Sequence, residues 1–258
     1  MNKKLLIILL LGITMSGLIT KLFAISNDAN ASTELKQREI FFTGAKLIFS
    51  MPENFSSDFP AEDLVTQVNL KDPTFKTRTS HLLLRRWWDF TEKSFLFDKQ
   101  MGTIMMSITT HYSETSFSNR LDLIKIIHKK LDAEYTESNK TTSSHFQIAY
   151  PETYESFKEK LYNEHRWLSY IIAPMNASQA TLTFVAPLTT QHYLEISFTL
   201  LPSSKINTRE FEDNISREFL DNIMNSVFLK YENKAFQKEL GLDINAIDID
   251  DLLLEKQE

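Results

Sequence analysis

Residues 180–201, with the sequence ATLTFVAPLTTQHYLEISFTLL, have the most regular alternation of apolar and polar side chains in this chain. From Leu194 to Leu200 every second residue is apolar, and this period of two is typical of a strand with one buried face. Pro187 ends the preceding strand because proline has no N–H group to donate to a neighbour. The pattern predicts a β-hairpin with its turn at residues 189–192.

Two stretches with helical periodicity can cover this hairpin. Apolar residues recur at steps of three and four within residues 209–229, which predicts a helix with one apolar stripe. A second helix is predicted over residues 118–132, with Ser118 or Asn119 as its N-cap. Composition and alternation predict further strands at residues 40–51, 64–70, 81–90, 95–110, 146–150 and 166–172.

The order of these elements predicts an α+β fold, in which an antiparallel β-sheet is covered by at least two helices. Gly102 is predicted to supply the left-handed turn of the hairpin that includes residues 95–110. A single α+β domain is predicted over residues 40–230. A linker at residues 32–39 precedes it, and an acidic C-terminal tail at residues 231–258 follows it.

The N-terminus has the pattern of a secretory signal peptide over residues 1–31. Two lysines precede an uncharged, mainly apolar run from Leu5 to Thr20. This run is shorter than the roughly 20 residues that span a bilayer, which favours a cleaved signal over a permanent helix. Ala29 and Ala31 fit the small-x-small rule for cleavage. An uncleaved inner-membrane anchor is the alternative.

The charge and the absence of cysteine limit which classes of partner an exported chain can have. The net charge is −6, and loss of residues 1–31 makes it more negative because that segment has more lysines than carboxylates. An acidic surface disfavours nucleic acid and anionic lipid and favours a basic partner. The chain has no cysteine, which excludes disulfides and a lipidated N-terminal cysteine. We therefore expect a periplasmic protein that contacts the membrane only if the N-terminal segment is uncleaved.

The sequence lacks the motifs of common catalytic and cofactor sites. After residue 31 the glycines are Gly44, Gly102 and Gly241, too far apart for a phosphate-binding loop or a nucleophile elbow. We therefore predict no cofactor. The histidines include no pair at i, i+2 or i, i+4, so no metal or catalytic site is predicted. They are His81, His111, His128, His145, His165 and His192.

Two groups of side chains are candidates for binding a partner protein. The first combines cationic and aromatic side chains, which dominate protein interfaces, and comprises Arg85, Arg86, Trp87 and Trp88. The alternative is that a tryptophan fills the core and the arginines pair locally. The second group lies in the acidic tail and comprises Asp248, Asp250 and Asp251. The alternative there is that the tail packs on its own domain or frays.

The order of elements resembles that of the Mog1/PsbP/DcrB-like group of folds over residues 40–230. The resemblance rests on a strand that ends in Phe49-Ser50-Met51-Pro52, the helix at 118–132, a strand with Trp167-Leu168-Ser169-Tyr170, the long hairpin, and a helix that ends in Ile223-Met224-Asn225-Ser226-Val227. Members of that group are mostly non-enzymatic: photosystem accessory subunits, a small-GTPase partner and bacterial envelope proteins. Some bacterial immunity proteins are similar in build.

We therefore expect an exported, non-enzymatic protein-binding protein of the bacterial periplasm. The specific hypothesis is an immunity protein that neutralises a secreted toxin with a basic surface. One alternative is an envelope accessory subunit held at the inner membrane, facing the periplasm, by an uncleaved N-terminal helix. Another is an envelope hydrolase, which requires two histidines and a carboxylate in one cleft.

Overall fold

The computed structural model describes residues 34–92, 99–163, 165–204, 206, 211 and 216–232. The strands are β1 (Leu35–Phe42), β2 (Ala45–Pro52), β3 (Gln67–Val68), β4 (Ser80–Glu92), β5 (Lys99–Tyr112), β6 (Ile148–Ala149), β7 (Lys158–Tyr162), β8 (His165–Pro174), β9 (Ala180–Pro187), β10 (His192–Pro202) and β11 (Phe228–Tyr231). The helices are α1 (Thr74–Thr77), α2 (Arg120–Thr141) and α3 (Arg217–Met224). The predicted signal peptide, with Ala29 and Ala31, and the tail residues Asp248, Asp250 and Asp251 lie outside the described residues.

The strands form two sheets, and nearly all neighbouring strands are antiparallel. The large sheet has the order β4-β5-β10-β9-β8-β6, and β7 also pairs with β8. The small sheet has the order β11-β2-β1-β3, in which only the contact between β1 and β3 is parallel. The predicted α+β class with antiparallel pairing is confirmed. The prediction of one sheet is wrong, because β1 and β2 pair with each other and with β11.

The predicted hairpin is confirmed as β9 and β10, in the middle of the large sheet. Ile196 lies opposite Phe184, and β5 and β8 flank the pair. Phe184 and Ile196 face the main core, which the small sheet and α3 complete. Val185 and Tyr193 point to the opposite face and pack beneath α2. Both faces of the hairpin therefore pack against other elements.

Helix α2 confirms the second predicted helix and its start. The Asn119 side chain accepts the N–H of Asp122 at 2.9 Å, which is the N-cap contact. The helix continues past residue 132 to Thr141 although its last turns are polar. The reason is a tertiary contact: the Asn139 side chain bonds both the N–H and the carbonyl of Ile148 in β6.

Within the described residues, the C-terminal helix ends earlier than predicted. Helix α3 ends at Met224, and residues 228–231 form β11 instead of continuing the helix. The Ser226 hydroxyl accepts the N–H of Ser50 at 2.8 Å, which turns the chain onto β2. Tyr231 therefore belongs to the small sheet, although the predicted tail included it.

Two further predictions are wrong. β1 begins at Leu35, inside the predicted linker at 32–39, and its first residues are exposed, so the strand lacks an apolar pattern. Gly102 lies within β5 rather than in a turn. It has a φ of +156°, and β10 approaches it closely.

Among the described helices, none is long and apolar enough to cross a bilayer.

Candidate partner-binding site

Trp88 is part of the core and cannot contact a partner. It is 0% exposed and packs edge-on against Phe55 and Phe219, with ring centroids 5.8 and 5.1 Å away. Side chains alternate between the two faces of β4, so Trp88 points inward and Trp87 outward. The prediction that Trp88 binds a partner is therefore wrong.

The neighbouring side chains hold the loop at residues 55–63 against the edge of the large sheet. The Trp87 ring stacks on Phe59 at 4.6 Å, and its Nε1–H donates to the Pro60 carbonyl at 2.8 Å. The Arg86 guanidinium lies 4.9 Å from the Phe55 ring. Arg85 forms a backbone bridge with Glu62. This loop protects the edge strand β4, and partner binding by Arg85, Arg86 and Trp87 stays a prediction.

A different edge of the large sheet exposes apolar side chains. Among the described residues, four large apolar side chains are more than half exposed, and all four lie within residues 146–175. We call them the exposed apolar set: Phe146 (63%), Leu161 (61%), Ile171 (52%) and Met175 (61%). Clustered exposure of this kind marks interaction surfaces more often than scattered exposure does.

A groove of about 790 Å³, here called the edge groove, lies along the same edge. Strands β8 and β9 form its apolar floor through Ile171, Ala173, Leu182 and Phe184, while β7 and α3 line its sides. Leu161 is on the opposite face of β7 from the groove-lining lysines, because side chains alternate along a strand. Ile171 is the member of the exposed apolar set that lines the groove.

The edge groove has a cationic lining although the whole chain is acidic. Its charged side chains are Lys158, Lys160 and Arg217, with Asp221 as the carboxylate. Asp221 accepts the hydroxyl proton of Tyr162 at 3.1 Å. Burial, followed by the charge of Asp221, raises the pKa of Tyr162 to about 12. Tyr162 is therefore a neutral donor at physiological pH.

A second cleft, of about 490 Å³, lies at the other end of the hairpin and has one histidine and one carboxylate in its lining and a second histidine beside it. His192 and Asp72 line this cleft together with Phe75. His81 packs on the Phe75 ring with centroids 3.9 Å apart, and His192 packs on the same ring at 5.3 Å. The sequence analysis did not predict that Asp72, His81 and His192 lie close together, because the three residues belong to separate elements.

The hydrogen bonds of His192 assign its tautomer. The Thr189 hydroxyl oxygen accepts the backbone N–H groups of Gln191 and His192, so its proton points to His192 Nδ1 at 2.8 Å. Nε2 then carries the ring proton. Burial, followed by the charge of His81, lowers the pKa of His192. His192 is thus held neutral, with its Nε2 buried and without a hydrogen-bond partner among the described residues. The described residues include no group of three side chains placed to hold a metal.

The other histidines lie in separate places. His128 is on α2 beside Asp132, and His145 is exposed in a 3₁₀ turn. His111 Nε2 lies 3.2 Å from Glu195 Oε2 beneath α2. Burial lowers the pKa of His111. His165 is 7% exposed between Trp167 and Tyr231, and burial, followed by the charge of Arg120, lowers its pKa to about 4.

His165 makes the stability of the fold depend on pH. The unfolded chain takes up a proton on this imidazole near pH 6.5, whereas the folded chain resists it down to about pH 4. Folded wild type therefore loses up to about 3 kcal/mol of stability as the pH falls through this window. His165→Phe should remove this share of the pH dependence. Urea unfolding between pH 7 and 4 measures it.

The matched control is His145→Phe, at an exposed histidine. It should keep the wild-type slope of unfolding free energy against pH. Equal slopes of unfolding free energy against pH for wild type, His165→Phe and His145→Phe would contradict the assignment of this pH dependence to His165.

The fold and these sites define an α+β protein with an apolar, lysine-lined groove at one sheet edge. No family model matches the chain, and no curated protein matches its sequence. The resemblance to the Mog1/PsbP/DcrB-like group therefore stays a prediction.

Proposed function

We propose that this chain is an exported, non-enzymatic protein that acts by binding another protein through the edge groove and the exposed apolar set. The observation that carries the proposal is the concentration of exposed apolar side chains at one edge of the large sheet. Burying such side chains against a partner contributes roughly 25 cal/mol per Å² of apolar surface. Toxin neutralisation in the periplasm is the specific role proposed for this binding.

Site-specific photo-crosslinking in cells that produce the full chain tests the proposal. The photoreactive residue p-benzoylphenylalanine replaces Ile171 in the edge groove, and in a matched protein it replaces Phe41, which is 46% exposed on β1. We expect one discrete crosslinked partner at position 171 and none at position 41. Met175→Asp, at an exposed position, should abolish the crosslink without unfolding the chain.

Equal crosslinking at both positions, or no crosslink at position 171, would reject the proposal. The mass of the mature protein, with or without residues 1–31, separates a free periplasmic protein from an accessory subunit anchored at the inner membrane.

A hydrolase is the second candidate function, and the cleft with His192 and Asp72 favours it. The second histidine, His81, packs on the Phe75 ring beside the cleft and is not one of its lining residues. His192→Gln should abolish any hydrolysis of ester or peptide substrates by the purified protein if the cleft is catalytic. Activity that survives this substitution would exclude the cleft as its source.

A further inference from the structure

We infer that the partner of the edge groove presents an extended segment with carboxylates and apolar side chains on the same face. This inference rests on the proposed protein-binding function and specifies the chemistry of its partner. It follows from the shape of the floor, the spacing of two lysines and the charge of the groove relative to the whole chain.

The floor of the groove accepts apolar side chains. Ile171 and Leu182 lie opposite each other in the register of β8 and β9, and both reach the groove surface. Ile171 is 52% exposed, and Leu182 is half-buried. A segment that lies along this floor removes both side chains from water, which favours binding. The groove, at about 790 Å³, is large enough for several side chains of such a segment.

The lysines set the spacing of the carboxylates. Lys158 and Lys160 are two residues apart on β7, so both point to the groove face. Successive side chains on one face of a strand are about 6.8 Å apart. An extended segment repeats its own same-face side chains at this interval. Lys158 lies opposite Ser169, two residues before Ile171, so the lysines and the apolar floor share one face of the sheet. A partner segment can therefore meet both with carboxylates and apolar side chains on the one face that it turns to the groove.

The charge of the groove discriminates between partners. Its cationic side chains outnumber its one carboxylate, whereas the chain as a whole has a net charge of −6. A basic segment would meet like charge at Lys158 and Lys160. A second copy of this chain in a twofold arrangement would bring the same lysines together. Both occupants are therefore disfavoured relative to an acidic, apolar segment.

Peptide binding to the full mature chain tests the inference. The probe is a fluorescent seven-residue peptide with both Glu and Leu on the same face of its extended form, and the comparison peptide has Lys in place of Glu. We expect the Glu peptide to bind at least about tenfold more tightly than the Lys peptide. Lys158→Glu combined with Lys160→Glu should weaken binding of the Glu peptide by about tenfold or more.

The control variant combines Lys129→Glu on α2 with Lys230→Glu on β11, which are exposed and outside the groove lining. It carries the same change in net charge and should bind the Glu peptide like wild type. Equal affinity for both peptides, or equal loss in the two double variants, would overturn the inference. A crosslinked partner at position 171 without any peptide preference rejects the inference and leaves the proposed function standing.

Two further experiments test other occupants of the edge groove. A dimer of the 30.0 kDa chain that Ile171→Asp dissociates would show that a second copy fills the groove, and it would overturn the inference. A chain that ends at Glu232 should bind the Glu peptide like the full chain. If the shortened chain binds the Glu peptide about tenfold more tightly than the full chain, the chain's own acidic tail occupies the groove. That result would also overturn the inference.

Discussion

Glu159→Gln should lower the free energy of unfolding by about 3 kcal/mol or more. Glu159 lies under the start of α2 between two guanidinium groups, those of Arg120 and Arg166. The side chains of Arg120 and Glu159 are only 8% and 14% exposed. Glutamine keeps the shape of the side chain but removes its charge, so Arg120 is left buried without a counter-charge. Urea unfolding at neutral pH measures the loss.

The arginine beneath α2 depends on this carboxylate. Burial lowers the pKa of Arg120, and the charge of Glu159 opposes that effect. Glu155→Gln is the matched control because Glu155 is fully exposed in a nearby 3₁₀ turn. A Glu159→Gln protein as stable as this control would show that the buried charges contribute nothing to the fold.

Gly102→Ala should also cost about 3 kcal/mol, through overpacking between β5 and β10. A Cβ at this position would lie 2.6 Å from the Leu201 carbonyl oxygen and 2.9 Å from the Phe211 ring. The carbonyl belongs to the backbone of a central strand and cannot move without disturbing the ladder between the strands. The φ of +156° adds backbone strain for alanine. Thermal unfolding should therefore occur several degrees lower than in wild type.

Gly44 provides the comparison, because it isolates the backbone contribution. Its φ is +86°, but a Cβ added at this position would meet no atom within 4 Å. Gly44→Ala should therefore cost only the left-handed conformation, about 1 kcal/mol. A loss in Gly102→Ala no greater than that in Gly44→Ala would contradict the role of close packing at Gly102.

The elements with strong local periodicity were predictable from sequence. The alternation at residues 180–201 predicts the β9–β10 hairpin, and the pair Ser118 and Asn119 predicts the start of α2, where Asn119 is the N-cap. The local pattern does not reveal which strands share a sheet. β2 pairs with β11, almost the whole length of the domain away, through contacts that no short window of sequence contains.

The candidate site was less predictable than the fold. Arg85 to Trp88 is the most unusual tetrapeptide, yet Trp88 belongs to the core, and the side chains of Arg86 and Trp87 contact a local loop. The edge groove combines β7, β8, β9 and α3, and its lysines lie in a stretch without clear periodicity. Such a site depends on which faces remain uncovered after packing, and that outcome follows from tertiary structure alone.

The pairing of β11 with β2 also determines when the fold can be completed. The N–H of Ser50 meets a hydroxyl that is 176 residues further along the chain. Contacts between such distant residues form slowly, because a long loop must close first. A chain that emerges from a ribosome with its N-terminus first cannot close the small sheet until β11 has emerged. Completion of the small sheet thus follows synthesis of the chain through β11.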